Sequence, residues 1–301
     1  MKLVVAGGTG FIGSALCSRL IERGHSLTLL TRSTSSAAVS PDKTWITWNP
    51  ESAGTWEQAI DSADGVINLA GEPIAGKRWT EAQKKKLRSS RIDTTRALVA
   101  AIGKAQEKPR FLINASAIGY YGPHGDELVT EENGPGSDFL SRVCGDWEEE
   151  AKRAEDYGLR VARLRTGIVL GKGGGALAKM IPPFKLFIGG PLGSGKQWMS
   201  WIHLEDEIDL IQFLIENPDA RGAVNATAPN PVTMKEFCQT LGGVLHRPWW
   251  APVPAFALRA MLGEMAEMLL TGQRVISAAA QKLGYSFRYP TLREALRTLL
   301  Q

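Results

Sequence analysis

The sequence predicts an α/β fold: a doubly wound parallel sheet with helices on both faces, joined to a smaller, mostly helical C-terminal lobe. Three observations lead there. KLVVA, residues 2–6, is a short apolar run suited to a buried parallel strand. The glycine turn GGTGFIG, residues 7–13, follows at once, and Ile12, Ala15, Leu16 and Leu20 then recur at helical spacing. SLTLLT, residues 26–31, reads as a second strand. A strand, glycine turn, helix and strand within about 30 residues is the context that gives a dinucleotide-binding turn its meaning.

Each part of that unit has a physical task. The turn satisfies Gly-x-Gly-x-x-Gly: one glycine permits the tight turn, one lets backbone approach a pyrophosphate, and Gly13 lets the helix pack close to the strand. The helix N-terminus offers free N–H groups and its positive dipole end to phosphate, so Gly7, Thr9, Gly10, Phe11, Ile12 and Gly13 are candidate cofactor contacts. Arg23 and Gly24 suit the last turn and the left-handed stop of this helix. After the second strand comes Thr31-Arg32-Ser33, where an NAD site would carry an acid. A guanidinium there makes charge-assisted hydrogen bonds to a 2′-phosphate, so Thr31 and Arg32 point to NADP(H). The alternative for Arg32 is a solvated surface side chain.

Further along, GVINLAG is an apolar strand whose end brings Leu69, Ala70 and Gly71 to the cofactor. Thr80 with Gln83 reads as a capping box starting a long helix. Lys84 and Arg88 read as its solvated face, whereas Arg91, where the pattern turns apolar, is expected at the cofactor's phosphate or ribose edge. FLINASAIGYYG and RVARLRTGIVL supply two more strands, placing Ala115, Gly167 and Ile168 near the nicotinamide end. GPLGSGKQ, residues 190–197, imitates a phosphate loop, but Gln197 cannot supply the magnesium-holding hydroxyl, and a substrate-facing loop is expected instead. Capping boxes at Thr233/Glu236 and Thr291/Glu294 mark short helices, and PAFALRAMLGEMAEMLL reads as an amphipathic helix. Trp249 and Trp250 would line a cleft, an oligomer interface or the core. The expected division is residues 1–166 with 196–228 as the nucleotide-binding domain, and 167–195 with 229–301 as the substrate-side lobe.

Composition excludes several classes. With 301 residues, 44% hydrophobic and 22% charged, the chain is long enough for one large core or two modest ones and is neither disordered nor fibrous. A net charge of +4 suits an anionic small molecule and is weak ground for nucleic acid, so no nucleic-acid partner is expected. Three separated cysteines and four scattered histidines show neither disulfide nor metal-ligand spacing, so no metal and a reducing cytoplasm are expected. The N-terminus lacks a cleavage pattern, and no span is apolar enough for a membrane. Oligomeric state stays open, a dimer being one option.

GGTGFIG, GVINLAG, FLINASAIGYYG and WIHLEDE together resemble an extended short-chain dehydrogenase/reductase of the NAD-dependent epimerase/dehydratase superfamily. That resemblance implies a Rossmann fold, a Ser or Thr after a central strand, and a Tyr-x-x-x-Lys helix motif in which tyrosine transfers a proton. Ser116 matches the serine. DFLSRVCGDWEEEA does not match the helix motif: Leu140 falls at the tyrosine position and Cys144 at the lysine position, while Arg91 falls at a usual asparagine. The combination is similar to an atypical, epimerase-like subgroup, which implies NADP(H) and a small-molecule substrate, with nucleotide sugars among the candidates.

The candidate catalytic residues are therefore Ser116, Tyr120, Tyr121 and Cys144. Ser116 would bond a substrate oxygen or merely strand backbone. Tyr120 and Tyr121 leave the strand end facing the cofactor, where a phenol beside Arg91 would donate a proton or sit as a rim aromatic. Cys144 is a nucleophile or a small buried hydrophobe. The expectation is an NADP(H)-dependent oxidoreductase or epimerase-like enzyme acting on a small polar carbonyl or hydroxyl compound. The alternative is a non-catalytic NADP(H)-binding regulatory or redox-sensing protein.

Overall fold

The computed structural model describes residues 1–32 and 42–301, so Ser33 lies outside the described residues. Seven parallel strands form the main sheet: β1 (Lys2–Ala6), β2 (Ser26–Thr31), β3 (Lys43–Thr47), β4 (Gly65–Asn68), β5 (Phe111–Ala117), β6 (Arg160–Thr166) and β7 (Gly222–Ala226). Their order is β7-β6-β5-β4-β1-β2-β3. The chain therefore builds outward in one direction through β3 and returns to build the other way from β4. Between β1 and β4 the connections part to opposite faces, leaving a crevice at the strands' C-terminal ends, the place where doubly wound sheets bind ligands.

Helix α1 (Phe11–Glu22) covers one face, α2 (Glu81–Lys104) and α3 (Phe139–Lys152) the other. Then follow α4 (Gly175–Lys185) and α5 (Leu204–Glu216), the latter packed beside α1, where Arg19 ion-pairs with Glu205 and Asp209. Strands such as GVIN are buried at every residue because both faces are covered. Polar groups there are paired: Asn68 Nδ2 donates to Thr95 Oγ1 at 2.8 Å and Asn114 Oδ1 at 2.7 Å, and Trp147 Nε1 donates to the same Thr95 oxygen at 2.8 Å. This knot joins α2, β4, β5 and α3 behind the crevice.

The C-terminal third supplies α6 (Met234–Leu245), α7 (Ala255–Leu262), α8 (Glu267–Leu270), α9 (Ala278–Lys282) and α10 (Leu292–Leu300). Leu170, Leu177, Phe184 and Trp201 share one apolar cluster with Phe237, Leu241, Leu296 and Leu299, binding the segment after β6 to α6 and α10. Asp206, fully buried in the first turn of α5, accepts from the Arg288 and Tyr289 N–H groups at 2.7 and 2.9 Å and anchors the chain before α10. Three expectations change. PAFALRAMLGEMAEMLL is not one helix: Gly263 at φ +61° breaks it into α7, a 3₁₀ turn and α8. Thr80 accepts from Gln83 N–H at 3.2 Å, but the Gln83 side chain reaches Glu72 and leaves that box half-made. Thr291 bonds the Glu294 carboxylate at 2.6 Å and caps no backbone N–H, whereas Thr233/Glu236 forms both halves of its box.

Candidate functional site

The glycine turn is built for close approach. Gly7 adopts φ +84°, and a Cβ on Gly13 would lie 2.2 Å from the Gly7 carbonyl oxygen, so α1 can start this close to β1 only with glycine at that position. The first turn of α1 holds no acidic residue, leaving its positive end to an anion. Thr9, Gly10, Gly71 and Arg32 are exposed, and Phe11, Ile12, Thr31, Leu69, Ala70, Ala115, Gly167 and Ile168 are partly so. Gly7 meets Leu69 and Ala70 across the crevice, and the ring of Phe11 packs on Gly171, Gly174 and Gly175. The strand ends of β1, β2, β4, β5 and β6 thus bring these residues to one edge of the sheet.

Arg91 is placed differently from the rest. It is buried behind Gly71, its Nη1 donating to the Leu87 carbonyl at 2.9 Å and Nη2 to the Glu72 carbonyl at 3.0 Å, with the guanidinium 5.3 Å from the centroid of Trp147. It braces the loop after β4. The cation beside the tyrosines is Arg165, which corrects the pairing with Arg91. Arg165 Nη1 donates to the Tyr121 hydroxyl at 2.9 Å, and its guanidinium carbon stacks 3.5 Å from the centroid of Tyr120.

That arginine belongs to a buried network. Its Nε and Nη2 donate to the two Glu148 oxygens at 2.8 and 2.9 Å, Ser116 Oγ donates to Glu148 Oε1 at 2.7 Å, and Tyr121 Oη donates to Asn225 Oδ1 at 2.7 Å. Burial outweighs the Arg165 charge and pushes the Tyr121 phenol up to about 12. Ser116 and Tyr121 are thereby turned into the protein, contrary to a direct role for either at a substrate oxygen.

Above the ends of β5 and β6 lies a cavity of about 1120 Å³. Ala117, the neighbour of Ser116 on the alternate side of the strand, lines it, as do Gly119, Thr166, Gly167 and Ile168. Leu140 and Cys144 of α3 form part of the wall, as do residues of α4 and α6, with segments 73–79, 188–200 and 262–273 enclosing most of the remainder. Burial pushes the Cys144 thiol up to about 12 despite nearby Arg91, so at neutral pH it stays an uncharged thiol and a poor nucleophile. Among the described residues, no group of three or more His, Cys, Asp or Glu side chains could hold a metal ion. No described helix is long and apolar enough to cross a membrane.

Thr166 and Glu207 escaped the sequence reading. Thr166 lines the cavity and its hydroxyl donates to Glu207 Oε1 at 2.8 Å; Glu207 is fully buried in α5, and its Oε2 has no partner. Burial pushes this carboxyl up to about 8, so it is protonated at neutral pH. A signal existed: position 207 falls three residues after Leu204 and four before Ile211, on the apolar face of α5. The three acids Glu205, Asp206 and Glu207 instead read as ordinary first-turn dipole partners.

The sheet order and the glycine-built crevice define a Rossmann-type α/β protein. Residues 3–226 match the NAD dependent epimerase/dehydratase family, and residues 253–299 match a domain of unknown function, DUF1731. The chain belongs to the NAD dependent epimerase/dehydratase family. It is 45% identical to the chloroplastic epimerase family protein SDR39U1 homolog of Arabidopsis thaliana, over 100% of this chain and 87% of that protein. It is 42% identical to the epimerase family protein YfhF of Bacillus subtilis, over 100% of this chain and 98% of that one. The crystal structure of human epimerase family protein SDR39U1 (isoform 2) with NADPH superposes with a TM-score of 0.87 at 35% identity, covering 99% of each chain.

Proposed function

We propose that the protein is an NADP(H)-dependent oxidoreductase or epimerase-like enzyme acting on a carbonyl or hydroxyl compound held in the cavity above β5 and β6. The observation that supports this is adjacency: Thr166, Gly167 and Ile168, at the C-terminal strand edge that also carries the glycine turn, line the cavity. The human relative bound to NADPH supports the choice of cofactor. The turn from Gly7 to Gly13 would cradle the pyrophosphate against the α1 N-terminus, and Arg32 would meet the 2′-phosphate. Leu69, Ala70, Gly71 and Ala115 would pass along the middle of the molecule, Gly167 and Ile168 along its nicotinamide end.

When bound, such a cofactor exchanges a hydride with a substrate carbon. The chain must then manage a proton on the substrate oxygen, with neither phenol nor amine at Leu140 and Cys144. The Thr166 hydroxyl, backed by protonated Glu207, is the group we assign to this: its proton, held at rest by Glu207 Oε1, turns to the substrate oxygen and is transferred, and the Glu207 carboxyl turns its own proton to the Thr166 oxygen to replace it, ending as carboxylate. A second reading, a non-catalytic NADP(H)-binding regulator, draws on the same leucine and cysteine.

Calorimetric titration of NADPH and NADH against wild type and Arg32→Ala tests the cofactor half. Removing one charged partner should weaken NADPH about ten- to a hundredfold and leave NADH unchanged. Deuterium transfer from 4-deuterated NADPH into a panel of ketones and aldehydes then separates the two readings. Binding without transfer from any member favours the regulator, and failure of both nucleotides to bind overturns both.

A further inference from the structure

The lining of the cavity carries its own information about what enters. Five of the chain's seven methionines face it, Met180, Met199, Met234, Met265 and Met268. Methionine is a flexible, polarizable wall material that adapts to hydrocarbon of varied shape. The apolar surface also continues outward. Ile188 lines the cavity yet is 55% exposed, beside Phe187, also exposed, whose carbonyl accepts from Trp250 Nε1 at 3.1 Å.

Charge points the same way. Lys179 is the sole cationic lining residue among those described, against three carboxylates, Asp138, Glu264 and Glu267. All four are already engaged: Lys179 Nζ donates to the Ala75 carbonyl at 2.8 Å, Asp138 caps α3, Glu264 pairs with Lys84 and Glu267 with Arg259. The neutral donors are occupied too. Thr166 donates to Glu207, Ser200 to the Gln273 carbonyl, and Gln273 Nε2 to the Ile118 carbonyl. Thr271 donates to the Glu267 carbonyl, and Gln197 Nε2 to those of Leu192 and Leu269. A diphosphate needs cations or spare N–H and O–H groups to replace its water, and the side chains of this lining offer neither in quantity.

We infer that the cavity takes an uncharged, largely hydrocarbon carbonyl compound or its alcohol, and excludes sugar nucleotides. This rests on the proposed function for the chemistry but not for the binding, so the two can fail separately. The inference departs from the sequence-based expectation of a small polar substrate.

The test uses 2-acetylnaphthalene and UDP-glucose as probes, titrated into the full chain with and without NADPH and followed by calorimetry. The naphthyl ketone should bind, and UDP-glucose should give no heat. Met268→Gln, a change in a half-buried wall residue, should weaken the ketone about tenfold. Lys179→Met, which replaces the lining's one cation among the described residues with hydrocarbon, should not weaken the ketone. UDP-glucose binding that Lys179→Met abolishes, or failure of the ketone to bind while NADPH does, overturns the inference. Absence of NADPH binding alongside normal ketone binding overturns the proposed function and leaves the inference standing. Should Met268→Gln fail to fold, the wild-type comparison of the two probes and Lys179→Met still decide.

Discussion

Cys144 shows how much a residue's neighbours decide. In sequence it occupies the place of a lysine and invites a nucleophilic role; in the fold it is 4% exposed, with its thiol pushed up to about 12 by burial. Cys17 and Cys238 are likewise buried, with thiols pushed up to about 11 and about 12. Since only thiolate reacts, iodoacetamide at pH 8 should label Cys144 in the native protein roughly a thousandfold more slowly than in urea. Mass spectrometry of the labelled peptides measures this site by site. Rapid native labelling of Cys144 alone would restore it as a nucleophile and displace the Thr166–Glu207 pair from the proposed chemistry.

At the scale of elements, the buried pair between Arg165 of β6 and Glu148 of α3 locks that helix to the sheet and fixes the loop after β5 through Tyr120 and Tyr121. Removing one partner strands a charge in the interior, which costs about 3–5 kcal/mol, whereas removing both together costs much less. Urea unfolding should therefore find Arg165→Met strongly destabilised and the double variant Arg165→Met with Glu148→Leu largely recovered. A double variant no better than the single one would show that the pair itself, rather than relief of an orphaned charge, is what the fold needs. The strands and α1 were legible because each has its own period and punctuation. The pair was not, although RVARLRT carried a trace of it: an arginine alternating into a strand covered on both faces demands a carboxylate from elsewhere. Sequence spacing cannot say which acid of DWEEEA answers, or that Ser116 turns toward it while Ala117 faces the cavity, because both depend on how α3 is rotated against β5. For the same reason the glycine turn, a local motif, was readable, and the cavity, assembled from segments far apart in the chain, was not.

Glu207 ties the proposed site to the stability of the whole molecule. Its folded-state pKa, about 8, stands above the ordinary carboxylate value of 4.5 that describes it when unfolded. Between those values the native chain holds a proton that the unfolded chain has released, so raising the pH favours unfolding. Stability should fall by up to about 1.4 kcal/mol per pH unit from about pH 4.5 upward and level off near pH 8, once both states are ionised. Other groups add to any such profile: burial raises Asp206, which acts in the same direction, while it lowers buried His203 to about 4, which matters only on the acid side. The comparison with Glu207→Gln removes these shared contributions. The glutamine has nearly the same shape, accepts from Thr166 through its Oε1, and cannot ionise. Denaturant midpoints for the two proteins, measured from pH 5 to pH 9, should therefore diverge steadily, the variant gaining on wild type until about pH 8. Parallel profiles would mean that Glu207 is ionised in the native protein at neutral pH, and a carboxylate there could not pass a proton to Thr166.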